Sequence, residues 1–567
     1  MAAACMIALP DPAGPQAQAL ARALGVTITL ADVLHRRGRG DDDETRRFLD
    51  PRLGQLTPPH EMAGRAAAVD RIARAIRARE RIAIFGDYDC DGITSVAILT
   101  EVITALGGDI EPLLADRFGG GYGLTDEAAS RVLEARPSLL ITCDCGSSDH
   151  PRLERLRAAG VDVVVIDHHL VPDEPIPVVA FLNPHRPDCP FPYKNLSSCG
   201  LALSLAAGLR AVLDSRLDVR RWLDLVAIGT VADVVPLDGD NRVLVRAGMR
   251  MIQSSPRPGL RWLASLANVA LDAGVTSDTI AFDIAPRLNA PGRLGSARPA
   301  LDLLMASDAT RAREGAAQLE ELRTQRRQIQ ARIAAEALEE IEREGFCDDP
   351  AIVVGRQGWH PGVVGIVAAQ LVERFGRPAV VVAFEGATGR GSARGPAGSR
   401  LYDLLSRCKD APMSFGGHQA AAGVHVGPEA LDRFRGLFNA AVQGMGGGER
   451  AEGAARQAEV RLHDGDRAFD VVEDLARLEP CGVTNPSPVM VVPGVTVLRA
   501  QAVKGGHLQV KMQTPAGEPL HGFGLSMGER AAEISALARA NVLGRLRRDT
   551  WRGGNAVAMR VEAVEPA

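Results

Sequence analysis

Lysine is almost missing from this 567-residue chain: Lys194, Lys409, Lys504 and Lys511 are the four, so 61 of its 65 basic residues are arginine. The arginine fork suits phosphate, although codon usage alone can enrich it. Against 70 acidic residues the formal charge is −5, which excludes a global positive field. Any polyanion has to be held by local patches or by metal ions. Cysteine pairs are missing too. Nine cysteines without one CxxC exclude a disulfide framework and a thiolate zinc site. Cys143 and Cys145, flanking Asp144, read as small residues at a strand end. No run of about 18 uninterrupted apolar residues occurs, so no membrane-spanning helix is expected. The opening MAAACMIALPDPAG lacks a basic n-region, so a signal peptide is not expected and a cytoplasmic location is. No internal repeat is visible. Apolar residues at 46% and charged residues at 24% exclude wholesale disorder.

What is present is enough chain for about three or four domains. Residues 1–60, rich in Ala and Arg, read as a helical lead-in. Residues 61–307 hold apolar runs alternating with helical stretches: RIAIF (81–85), SLLITC (138–143) and VDVVVI (161–166). That alternation predicts βαβ units and a parallel sheet. Residues 222–250 and 259–306 read as helical, interrupted by a loop at IAPRLNAPGRLG (284–295). A polar helix over 308–346 would connect domains. Residues 347–443 form a second, smaller α/β unit, 444–456 a glycine-rich linker, and 457–567 a set of short strands suited to a barrel.

Each of the three apolar runs of the first unit ends in acid: Asp87, Asp89 and Asp91 in GDYDCDG, then Asp144, then Asp167-His168-His169. In a parallel sheet these ends share one edge, where open α/β folds place ligands. One such aspartate is ordinarily a helix cap. Five, converging with two histidines, repel one another unless cations sit among them. Carboxylate and imidazole suit Mn²⁺ or Mg²⁺, and two such ions are the usual apparatus of phosphoester hydrolysis.

These segments, GDYDCDG (86–92), TCDCG (142–146), IDHH (166–169) and GTVADVVPL (229–237), resemble the four metal-site motifs of the DHH phosphoesterase superfamily. NPHRPDCPFP (183–192), PRLNAPGR (286–293), GWHPGVVGIVA (359–368), GRGSARG (389–395), FGGHQAAAG (415–423) and LEPCGVTNPSP (478–488) narrow the resemblance to the RecJ family of single-strand-specific exonucleases. The resemblance implies a DHH parallel-sheet domain, a connecting helix, a DHHA1 domain and a C-terminal OB-fold. It implies Asp89, Asp91, Asp144, His168 and Asp233 as ligands of two ions, with Asp144 bridging. Asp167 would orient His168, His169 would donate to the scissile phosphate, and Asp87 would complete a coordination shell or position water. Asp238 and Asp240 read as surface residues. Phe85 stands where many members have a histidine, and Cys90 where alanine is frequent.

For substrate, the resemblance implies an arginine fork on a terminal 5′-phosphate from Arg394 with Ser392, although Gly395 departs from the family's signature. Arg117 is the matching residue of the first domain. Gly416, Gly417 and His418 would approach the DNA backbone, as would Arg287, Asn289 and Arg293. Trp359-His360 reads as a packed turn. The C-terminal module is poor in aromatics, with Phe523 and Trp551 as stacking candidates, so Arg499, Lys504 and Lys511 would carry more of the strand binding. The implied activity is 5′→3′ degradation of single-stranded DNA to mononucleotides in recombination and repair. A single-strand-binding protein and a RecQ-type helicase are the implied partners of a monomer that does not engage membranes. The rivals are a DHH enzyme of short oligonucleotides or cyclic dinucleotides, which lacks the OB module, and a non-catalytic scaffold of the Cdc45 type, whose metal motifs are degraded.

Overall fold

The computed structural model describes residues 7–411, 413–417, 419, 421–445, 456–549 and 556–567. Two compact units emerge: Met1–Pro286 with Ala300–Ala316 and Gly453–Ala567, and Arg287–Pro299 with Ala317–Glu452.

The first unit holds a parallel five-stranded sheet in the order Asp109–Leu114, Arg81–Gly86, Leu139–Cys143, Asp162–Ile166, Ala180–Leu182. The three central strands are the three apolar runs. The outer two are short or half-exposed and carry too little apolar signal to stand out. Helix Cys90–Ala105 is buried along nearly its whole length, between the sheet and helices Ser198–Val212 and Leu223–Ala232.

The loop expected at 284–295 is helical. A π-type turn, Thr279–Ile284, runs into short helices Ala285–Leu288 and Ala290–Leu294. Pro291 sits in the first turn of the second of these, where its missing N–H costs no hydrogen bond. Asp240 is also a correction: it is buried, accepting hydrogen bonds from Thr57 N (3.0 Å) and Oγ1 (3.1 Å).

The same unit contains the C-terminal module. Strands Met490–Val503, His507–Gln513, Pro519–Gly524, Val557–Pro566 and Arg539–Arg548 are neighbours in that order, and the first also pairs with the last, closing a five-stranded barrel. Against Arg539–Arg548, strand Met490–Val503 shifts register between Val492 and Val495, at Pro493-Gly494. The lead-in belongs to this module. Leu20, Leu30, Leu34 and Leu49 share one core with Val471, Leu478, Met490 and Val510. Asp474 accepts the N–H of Thr27, 447 positions away, at 2.6 Å. Helices Pro15–Leu24 and Ile28–Arg36 spend their apolar faces there. No single described helix is long and apolar enough to cross a membrane.

In the second unit, helix Ala309–Glu344 continues from Ala317 and sets Ile333, Ala337 and Ile341 against Trp359, Val364 and Val381. Its five-stranded sheet runs Met413–Gly417, Ala421–Val426, Thr388–Arg394, Ala379–Glu385, Ile352–Gln357, and only the last pair is parallel. The linker expected at 444–456 falls mostly on residues outside those described, as does Trp551.

Leu30 is fully buried in the shared core. Leu30→Ala should therefore destabilise the module by about 2–5 kcal/mol. The expected readout is a lower melting transition together with faster amide exchange at Val510 and Met512, which an independent lead-in would leave untouched.

Candidate active site

Strand Arg81–Gly86 runs into a tight turn that starts helix Cys90–Ala105. Asp89 caps that helix, accepting from Asp91 N (3.0 Å) and Gly92 N (3.1 Å). Gly92 is required there, because a Cβ would lie 2.5 Å from the Asp87 carbonyl oxygen. Asp91 points the other way. Its two oxygens accept Ser198 N (2.7 Å) and Cys199 N (2.9 Å) at the start of helix Ser198–Val212. Gly229 packs against this point, where a Cβ would come 2.9 Å from Asp91 Oδ1.

Asp144 ends the next strand in the left-handed region, with φ +65, a conformation aspartate tolerates better than most residues. Its Oδ1 accepts Ser198 Oγ (3.2 Å) and lies 3.2 Å from His168 Nε2. His168 Nε2 is also 3.4 Å from Asp233 Oδ2 and 3.8 Å from Asp91 Oδ2. Asp233 caps helix Leu223–Ala232, followed by Val234 at φ +62.

Asp167 behaves differently from expectation. Its side chain takes the Nδ1 of His169 at 2.7 Å and the backbone N–H groups of His168 (2.8 Å) and Ser147 (3.0 Å). It thus orients His169 rather than the His168 ring, because the turn after strand Asp162–Ile166 folds His169 back onto it.

Three donor sets result, each within 4.8 Å: Asp144, His168 and His169; Asp91, His168 and Asp233; Asp87, Asp89 and Asp144. Asp144 and His168 each belong to two. Burial and then the neighbouring carboxylates push Asp144 and Asp87 well above the usual carboxylate range. Burial with Asp91 and Asp89 lifts Asp233 to about 9. Burial lowers His169, but the bond and charge of Asp167 outweigh it and bring it up to about 9. Among the described residues, Asp87 Oδ1 and His168 Nε2 are buried without an aligned hydrogen-bond partner. Self-repelling oxygens, an orphaned imidazole nitrogen and no thiolate donor fit a divalent cation such as Mn²⁺ or Mg²⁺.

Three contributors were not visible as such in the sequence. The Ser198-Cys199 backbone is one. Tyr122, from a glycine-rich loop, donates to the Asp144 carbonyl at 2.8 Å and lies 3.0 Å from His169 Nδ1, its ring edge-on to the imidazole. Asn183 donates to the His169 carbonyl at 2.8 Å. The signals were a serine N-cap and the GGGYG and NPH runs, none with a chemical type of its own. Arg117 stacks over Tyr88, 4.0 Å from the ring centre, and its charge tempers the rise at Asp87.

In the second unit, Arg394 Nη1 donates to Ser392 Oγ (2.7 Å) and to the Ala393 carbonyl (2.8 Å). Register places Gly416 beside Gly423, and Gly423 beside Ser392, so these residues gather on one stretch of sheet. Gly417 has φ +142, and a Cβ there would meet the Ala421 carbonyl at 2.5 Å. His418 lies outside the described residues. Arg287 is a correction: it is buried and paired with Glu320 at 2.6 Å, which makes it a structural ion pair. Arg293 donates to the Gly362 carbonyl (3.3 Å), and Asn289 is half-buried. Trp359 is packed as expected, donating to Glu336 at 2.7 Å.

Family models described as DHH family, N-terminal domain, DHHA1 domain and RecJ OB domain match residues 81–230, 348–444 and 458–563. The single-stranded-DNA-specific exonuclease RecJ of Dickeya dadantii is 34% identical over 543 residues, covering 92% of each chain. The chain belongs to the RecJ family. RecJ of Bacillus subtilis is 34% identical over 545 residues, 95% of this chain and 68% of that one. Among solved structures, RecJ of Thermus thermophilus in complex with Mn²⁺ superposes on 99% of this chain and 79% of its own, at 29% identity and a TM-score of 0.79. A second structure of that protein is a complex with Mg²⁺.

The raised groups set a sign for the metal-free protein. Asp233 and His169 both titrate near 9 when folded, above their ordinary 3.8 and 6.5, so the folded state holds more protons. Stability should fall as pH rises from about 3.8, where Asp233 would ionise unfolded, more steeply above 6.5, where His169 joins it, and level off beyond about 9. Saturating Mn²⁺, at about 100 times Kd, should add about 2.7 kcal/mol per site and flatten that dependence. Asp144→Asn should abolish the gain while melting no lower than wild type without metal. Thermal melts across pH, with and without Mn²⁺, check all three.

Proposed function

We propose that this chain is a metal-dependent phosphodiesterase acting as a single-stranded-DNA-specific 5′→3′ exonuclease that releases mononucleotides in recombination and repair. The observation that carries the reading is the trio of donor sets linked by Asp144 and His168, each common to two of them, in a RecJ-family chain. Asp89, Asp91, Asp144, His168 and Asp233 would hold two ions. The hydrogen bonds on Asp91 fix its rotamer and leave further lone pairs, since each carboxylate oxygen accepts twice. Asp144, common to two sets, is suited to bridge, and Asp87 to complete a set or orient water.

When bound, divalent cations supply charge neutralisation at the phosphate and raise the acidity of water. The chain's own groups do the rest. Asp167 accepts a hydrogen bond from the Nδ1–H of His169 and keeps the imidazole cationic near neutral pH, so Nε2–H is a charged donor for a phosphate oxygen. Tyr122 limits the swing of that ring. Ser392 holds the Arg394 guanidinium in place, which suits it to a terminal 5′-phosphate. The closed barrel argues against an enzyme confined to very short oligonucleotides, and the full donor set against a non-catalytic scaffold. A single-strand-binding protein, a RecQ-type helicase, a monomeric state and a cytoplasmic location rest on the family resemblance alone.

End-labelled strands of both polarities with Mn²⁺ test the reading. Products should shorten from the 5′ end, faster for 5′-phosphate than for 5′-hydroxyl. Arg394→Ala should lose roughly ten- to hundredfold of that preference, the equivalent of charged hydrogen bonds of about 1.5–3 kcal/mol. A 3′→5′ ladder, or equal digestion of blunt duplex, would contradict it.

A further inference from the structure

Within the first unit, remote in sequence from every proposed metal ligand, a cavity of about 380 Å³ opens between the lead-in helices and the segment before the barrel. Arg46, Arg47, Arg52 and Arg477 line it beside an apolar wall of Ala23 and Leu24, with Leu49 behind it buried in the shared core. Asp50 is the one carboxylate among the described residues of that lining, and it is already engaged: Arg52 holds it at 2.6 Å and Arg250 approaches to 3.7 Å. Asp474, 3.9 Å from Arg477, also accepts the Thr27 N–H.

Behind this edge, helix Gly239–Ser254 carries Arg242, Arg246 and Arg250 at four-residue spacing. Arg246 donates to the Ala476 carbonyl at 3.0 Å, while its buried Nε finds no acceptor among the described residues. Arg46 pairs with Asp41, Arg52 with Asp50, and Arg477 lies 3.9 Å from Asp474, which leaves Arg47 as the lining arginine without a carboxylate partner among the described residues.

We infer that this cavity is a second nucleotide-phosphate site, taking a phosphate on the forks of Arg47 and Arg477 and a base against Ala23 and Leu24. Guanidinium forks match phosphate oxygens, and their planes stack on bases. The volume falls within the range of small-molecule sites. A run of carboxylates would leave the apolar wall unused, which favours nucleotide over acidic peptide. The shared chemistry comes from a strand or from a released mononucleotide. The inference rests on the chain acting on single strands.

The test uses the full chain with divalent ions chelated, so that nothing is hydrolysed. Binding of a labelled long thymidine strand is followed across salt, and dAMP and inorganic phosphate are titrated by thermal shift. Arg47→Glu with Arg477→Glu should weaken strand binding at least tenfold at low salt and flatten the log–log slope by about 0.7 for each lost contact. The paired lysine variant should keep the slope. A loss confined to the strand supports strand phosphate as the source; a loss of dAMP binding alone supports the released nucleotide. With Mn²⁺ restored, the glutamate variant should hydrolyse a tetranucleotide like wild type, which checks folding. Wild type that binds strands but hydrolyses none would count against the exonuclease reading, not against this site. Unchanged strand, dAMP and phosphate binding overturns the inference, as does capture of oligoglutamate in place of nucleotides.

Discussion

Electrostatic repulsion among buried aspartates is the constraint on which the rest of the first unit depends. A parallel sheet delivers the ends of neighbouring strands to one edge, and here those ends carry Asp87, Asp144 and Asp167, with Asp89 and Asp91 in the turn beyond the first. Asp91 is relieved by two backbone N–H groups at a helix start, whose dipole favours negative charge. Asp167 is relieved by the His169 imidazole. Asp87, Asp91, Asp144 and Asp233 still keep raised proton affinities, and that remainder is what a divalent cation would neutralise. Gly92, Gly229 and the left-handed backbone at Asp144 follow from bringing such groups within reach of one another.

The residues proposed to meet substrate obey a different logic. Ser392, Arg394, Gly416 and Gly417 lie on adjacent strands of a mostly antiparallel sheet, where register aligns them. Arginines in such a chain divide between forks held near the surface and forks spent inside. Arg394 is of the first kind. Arg242 is of the second: its guanidinium is buried against Phe48 and donates to the Phe48, Leu478 and Pro480 carbonyls. Sequence alone does not separate them, because each is an arginine in a regular element and the partners that spend a fork inside lie elsewhere in the chain.

By itself the sequence determined the central strands, the long polar helix and the acidic strand ends, since these follow from local periodicity and residue type. RIAIF, LLITC and VVVI could only be buried strands, and aspartates directly after them could only share an edge. The tertiary structure decided what depends on partners distant in the chain. It assigned Asp167 to His169, because the direction of a turn selects which of two adjacent imidazoles meets the carboxylate. It withdrew Arg287 into an ion pair with Glu320, and it joined the helices between residues 15 and 49 to a barrel more than 400 positions away. Helical periodicity shows that a helix has an apolar face, whereas the surface that covers that face is set by long-range packing, which no local window of residues contains.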